Sequence, residues 1–233
     1  MTVVADQQSS PLAAPSTSPP SGVVAQSPVP PGPVSYIAAD PAPLGLAAFA
    51  MTTFALSIAN TNIWGAGANS ALALALVYGG AVQLLAGMWE FARKNTFGAV
   101  AFSSYGAFWI SYYVLARSIL PGVKAADVPV AVGVFLLGWT IFTFYMTIGS
   151  LRVSGAVVAV FVLLTATFVL LTIGAFDSKM SIDKVAGWFG VATAAAAWYA
   201  SFGGVVNETF KKAVIPLLPL APGARTAARA ARS

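Results

Sequence analysis

Cysteine and histidine are both absent from the 233 residues, and charged side chains make up only 8% of them. Without thiol or imidazole there is no disulfide framework, no Cys/His nucleophile system, no thiolate or imidazole metal site and no ordinary side chain that titrates near neutrality. The common hydrolytic and metal-dependent chemistries are left without their usual groups. No catalytic residue, metal ligand or cofactor site is therefore assigned, and an enzyme is not expected. Low charge also excludes a water-soluble core of this size. Hydrophobic residues reach 58% and the mean hydropathy is +0.80, far more apolar surface than so few charges can solvate. The net charge of +5 does not point to nucleic acid. Its Lys and Arg fall in short gaps between apolar runs and in the tail, the pattern that orients a chain in a membrane.

Residues 1–35 are rich in Pro, Ser, Ala and Gln and have no apolar run long enough for a signal-peptide core, so a disordered tail is expected there. Six apolar stretches follow, near 44–64, 71–91, 97–117, 128–149, 154–175 and 185–206. Each approaches the ~20 residues that cross about 30 Å of hydrocarbon as a helix, and each is too long and continuous for the strand of a membrane barrel. The expectation is an all-α membrane protein, with a six-helix transmembrane domain over 36–212 and a basic tail over 213–233. The gaps carry turn and charge signals, among them Arg93, Lys94 and Asn95, then Pro121 and Gly122, then Asp177, Lys179, Asp183 and Lys184. Eight Lys and Arg (Arg93, Lys94, Arg152, Lys211, Lys212, Arg225, Arg229, Arg232) fall on the side of the N-terminus, against Arg117, Lys124, Lys179 and Lys184 on the other. The imbalance predicts a multi-pass protein of the plasma or inner membrane with both termini in the cytoplasm.

Helices in lipid associate through small residues and hydrogen bonds, because lipid tails are as apolar as leucine. In the sixth stretch Ala192, Ala196, Ala200 and Gly204 recur every four residues and predict a smooth stripe against which another helix, of this chain or a neighbouring one, lies. Ser and Thr within the spans are expected to bond back to their own helices. Gln83 and Asn60 have more donors and acceptors to satisfy and are expected to face the bundle or a wet cavity. Glu90, the one acid within a predicted span, lies three and four residues before Arg93 and Lys94, and a helical ion pair at the membrane surface accounts for it.

The first span opens with Asp40-Pro41-Ala42-Pro43-Leu44-Gly45-Leu46. Asp40 is a helix cap, and the two prolines suit a helix start because they bring no amide hydrogen. The amides of Leu44, Gly45 and Leu46 then point out of a positive helix end, with Gly45 permitting close approach of a ligand or a helix. Such an end suits an anion as well as an ordinary capped start.

This segment resembles the NPAPLGL signature of the acetate uptake transporter family, the succinate–acetate permeases and their fungal relatives. The likeness continues through Phe49, Met51-Thr52-Thr53, Tyr78-Gly79-Gly80 with Gln83, Ala86-Gly87, Glu90, Asn95-Thr96-Phe97-Gly98, Ser104-Tyr105-Gly106 and Phe108-Trp109. It resumes at Phe142-Thr143, Gly187-Trp188 and Gly203-Gly204 with Asn207, covering about residues 40–212. Asp40 stands where the family usually has Asn, which puts a negative charge at the anion entrance, and Val205-Val206 replaces Thr-Leu. The resemblance implies a six-helix protomer assembled as a hexamer in membrane lipid, with a path for acetate, and for some members succinate, in each subunit. It implies a constriction at Phe49, Tyr105 and Leu164, and polar path-lining residues Thr52, Gln83, Ser104 and Asn207. The absence of a buried Lys or Arg fits weak carboxylate binding and fast release. Channel and proton-coupled carrier remain open, as does passage of ammonia or ammonium. A membrane sensor or scaffold that binds a partner through its tails is a further alternative.

Overall fold

The computed structural model describes residues 39–64 and 67–220. The head expected to be disordered, and the distal tail with Arg225, Arg229 and Arg232, lie outside the described residues. Six helices are long and apolar enough to cross a membrane. The first is α1 (Ala42–Thr61); the second joins α2 (Gly67–Leu76) to α3 (Gln83–Ala92) through a widened π turn, Val77–Val82. The third is α4 (Thr96–Val114), which continues through a second π turn, Leu115–Ile119, into a tight turn at Leu120–Gly122. Then come α5 (Val128–Ser150), α6 (Gly155–Asp177) and α7 (Met180–Phe210).

These spans follow the apolar runs except at α7, which begins at Met180 rather than near 185. Asp183 and Lys184 look like loop residues in sequence. In the structure Asp183 sits in the first turn of α7, where the positive helix end tolerates an acid.

Within the chain the closest helix contacts are made by glycine, and the predicted alanine stripe is only partly covered. Along α7, Ala192 is exposed and Ala196 half-buried, whereas Gly187, Gly190, Ala194, Ala197 and Ser201 are buried. A Cβ at Gly187 would come within 2.7 Å of the Thr61 amide, so α7 and α1 lie backbone to backbone. Of the predicted row Ala200 is buried, Gly204 is seated on Pro43 and the half-buried Ala196 packs against the core, while Ala192 is exposed. The same device joins α3 to α4. A Cβ on Gly106 would meet the Leu84 amide at 2.6 Å, and one on Gly87 would overlap the backbone of Ser103.

Hydroxyls behave as expected and also stitch helices together. Thr52, Thr140, Thr147, Thr165, Thr167, Thr172 and Thr193 each bond the carbonyl four residues earlier. Thr140–Thr172 at 2.9 Å and Thr147–Thr165 at 2.8 Å then link α5 to α6.

The opening stretch of the expected tail, 213–220, is a strap rather than a free end. The Gly155 amide bonds the Leu218 carbonyl at 2.8 Å and the Leu220 amide bonds the Val153 carbonyl at 3.1 Å, so the strap pairs with the chain entering α6. α4 and α5 touch along little of their length, and long aromatic side chains fill the gap between them. The candidate site lies beside this aromatic fill, between α1, α3, α4 and α6.

Candidate functional site

Phe49 on α1, Tyr105 on α4 and Leu164 on α6 are buried together on the wall of one cavity of about 70 Å³. The Phe49 and Tyr105 rings lie 5.7 Å apart, and Tyr105 meets Phe142 edge-on at 5.3 Å and Phe161 at 6.1 Å. The Tyr105 hydroxyl shares a 2.9 Å hydrogen bond with Thr143 of α5, which fixes the ring across the gap. The cavity reaches from this cluster towards the start of α1. It ends at Glu90, Asn95 and Val153. A single water needs roughly 10–15 Å³ of such space, so the volume admits a molecule of a few heavy atoms.

A second cavity, of about 310 Å³, lies on the other side of the aromatic cluster and is lined by Asn60, Tyr112, Leu171 and Asp183 among others. Three helices contribute to both. α4 turns Tyr105 to the first cavity and Phe108 to the second, and α6 does the same with Leu164 and Phe168. Such spacings amount to about one helical turn, ~5.4 Å. Phe108 and Phe168 pack edge-on at 5.4 Å, and Phe108 meets Trp139 at 5.0 Å. Two cavities thus lie about one helical turn apart within the chain, with a largely aromatic, apolar layer between them.

The other residues expected in the path divide. Gln83 lines the first cavity, fully buried, and its Oε1 has no hydrogen-bond partner. The π turn just before it, at Gly79 and Gly80, lets α1 and α4 press against this helix: a Cβ on Gly79 would meet Thr52 Oγ1 at 2.5 Å, and one on Gly80 would meet Ile110 at 2.8 Å. Thr52 is buried there and spends its hydroxyl on the Ala48 carbonyl at 2.9 Å. Neither Thr52 nor Ser104 lines the cavity. Asn207 has a different task. Its Oδ1 accepts the amides of Val214 and Ile215 at 2.8 Å, and its Nδ2 donates to the Ile215 carbonyl at 2.9 Å, so it holds the strap.

The expected anion entrance is altered too. α1 starts at Ala42, so the Gly45 amide already has a partner in the Pro41 carbonyl at 3.0 Å, and the Ala42 amide is taken by Asp40 Oδ1 at 3.1 Å. Gly45 faces the Phe102 ring, where a Cβ would come within 2.7 Å, and so admits a neighbouring helix rather than a ligand. Pro41 is buried, Pro43 accepts a hydrogen bond from Ser201 at 2.7 Å through its carbonyl, and Leu44 is exposed. Leu46 alone of this group lines the cavity with its side chain, beside Ala42. Asp40 is paired with Arg93 at 2.5 Å, so its extra charge is compensated instead of standing free at the entrance.

That pairing overturns the expected Glu90–Arg93 bridge. Glu90 is fully buried and accepts a 2.9 Å hydrogen bond from Asn95 Nδ2. Its position was available from periodicity. Gln83, Ala86, Gly87 and Glu90 stand at i, i+3, i+4 and i+7, one face of a helix, and all four are buried. Among the described residues no group of His, Cys, Asp or Glu has the arrangement of a metal site.

Residues 26–222 match the model of the GPR1/FUN34/yaaH family. The chain is 39% identical over 181 residues to the "Succinate-acetate/proton symporter SatP" of Escherichia coli, an alignment covering 77% of this chain and 95% of that one. It is 40% identical over 184 residues to the "Ammonia transport outward protein 2" of Saccharomyces cerevisiae, covering 76% of this chain but only 65% of the yeast protein's length. Among solved structures, "Structure of the bacterial acetate channel SatP" superposes with a TM-score of 0.72 at 38% identity, covering 78% of this chain and 99% of the other.

Proposed function

The chain belongs to the GPR1/FUN34/yaaH family, and from that membership we propose that it carries acetate and similar small carboxylates, succinate included, across a membrane through a path within each subunit. The observation that supports the reading is that Phe49, Tyr105 and Leu164 share the wall of one cavity, about one helical turn from Phe108 and Phe168 on the wall of another. A volume of about 70 Å³ on one side suits the four heavy atoms of acetate. No Lys or Arg lines either cavity, so a carboxylate would be held weakly and released fast. The reading includes a hexamer of such protomers and both termini in the cytoplasm, the side favoured by the Lys and Arg count.

A second reading, passage of ammonia or ammonium, draws on the name of the yeast relative and on the unpartnered acceptor oxygens of Gln83 and Glu90. Flux of labelled acetate into liposomes holding the full chain, with ammonium as competitor and protein-free liposomes subtracted, separates the two. The expected result is saturable acetate entry with an apparent affinity far weaker than micromolar and little effect of ammonium. Acetate entry no faster than in protein-free liposomes would refute the carboxylate reading.

A further inference from the structure

Glu90 is the one acid of the first cavity's wall, and its surroundings are unusual for a carboxyl group. One oxygen accepts from Asn95, while the other, Oε1, is buried on the cavity wall with no partner. Arg93, the nearest candidate cation on its own helix, is turned outward to Asp40. From α4, Gly98 brings the first turn of that helix against the carboxyl, so close that a Cβ there would come within 2.8 Å of Oε1. The only other titratable group on the wall is Tyr105, whose hydroxyl is bonded to Thr143. The parts of α1 and α6 lining the cavity contribute only apolar side chains. An ionised carboxylate buried there has no salt-bridge partner, since the nearby Arg93 is taken by Asp40, whose own negative charge opposes a second one, whereas a neutral carboxyl has a hydrogen to donate into the cavity.

We propose that Glu90 is the proton-donating gate of the first cavity, neutral when a carboxylate enters and repelling it when ionised. This inference rests on the carboxylate reading. The neutral Glu90 carboxyl donates its hydrogen to an oxygen of the entering acetate. Transfer of that proton gives acetic acid and an ionised Glu90, and a proton from the aqueous side of the cavity restores the neutral carboxyl. The neutral acid crosses the dry layer at Phe49, Tyr105 and Leu164 at far lower cost than the anion. Each acetate thus travels with one proton, and flux falls as pH rises through the titration of Glu90.

Glu90→Gln and Asn95→Asp test this in liposomes holding the full chain at zero membrane potential, with labelled acetate flux and an entrapped pH dye read between pH 5 and 8. The wild-type flux above the protein-free background is expected to fall on raising the pH, with interior acidification in step with acetate. Glu90→Gln keeps the shape of the side chain but releases no proton; its flux should become flat with pH and its dye signal per acetate should drop. Asn95→Asp retains an acceptor for the Gly98 amide, which Asn95 Oδ1 now binds at 3.2 Å, and sets a second acid beside Glu90. Like charges at that distance should move the wild-type pH profile upward by about one unit. A wild-type profile retained in both folded variants would overturn the role of Glu90 and leave the carboxylate reading standing. Should Glu90→Gln fail to yield a monodisperse protein, an unshifted profile in Asn95→Asp would overturn it alone. No protein-dependent acetate flux in the wild type would overturn the carboxylate reading and this inference together.

Discussion

Leu164→Ala and Phe49→Ala are expected to let succinate compete with acetate far better than it does in the wild type. Both side chains are buried at the narrow end of the first cavity, opposite Tyr105. Truncation removes bulk from a layer about one turn thick. A difference of one or two methylenes in an apolar pocket discriminates by roughly tenfold or more. The succinate-to-acetate flux ratio should rise by about that factor, with acetate flux itself changed less. The comparison needs only the two labelled acids and the same liposome preparation. An unchanged ratio in both variants would remove these residues from the selective layer.

The largest effect on folding is expected at Gly87. A Cβ at this position would overlap the backbone amide and the side chain of Ser103, so a substitution there must push α3 away from α4. Overpacking a tight contact costs about 1–3 kcal/mol or more, and here the collision includes helix backbone, which has little freedom to yield. Gly87→Leu should abolish the folded protein, seen as loss of the monodisperse species after detergent extraction. Ala192→Leu, on the exposed side of α7, should be tolerated by the single chain. Its effect on any larger assembly then reports whether that face meets a second copy. A Gly87→Leu protein that remains folded and as heat-stable as wild type would contradict the close α3–α4 contact.

Much of the fold was legible because hydrocarbon imposes a simple requirement. Six apolar runs near 20 residues had to be helices, and the structure has six such helices among its described residues. Helix faces were harder to read. α7 has alanine on nearly every side, so Ala192 and Ala196 appeared as good a stripe as the true face at Gly187, Gly190 and Ala194. Where Cβ itself is the obstacle, glycine was the better signal.

Within the site, the resemblance led to Phe49, Tyr105 and Leu164, and the structure brings them onto one cavity wall. Glu90 was misjudged for a local reason. Arg93 stands three residues later and can pair along a helix, but the chain turns just beyond it and carries its guanidinium to Asp40 instead. Local spacing lists the partners a side chain can reach; tertiary packing chooses between them. The bonds of Asn207 were not legible either, since nothing in its own neighbourhood announces that the strap at 213–220 folds back onto it.

The two-cavity path can be tested without assuming a substrate. Because the chain has no cysteine, a single one can be introduced at Leu46, in the first cavity, or at Leu171, in the second, with no background. In membranes of one orientation, a small impermeant charged thiol reagent is added to either face and the labelled fraction measured. A dry layer between two opposed cavities predicts that Leu46→Cys reacts from the face bearing the start of α1 and Leu171→Cys from the opposite face. Reaction of both from the same face, or of neither from any face, would contradict a path through the protomer.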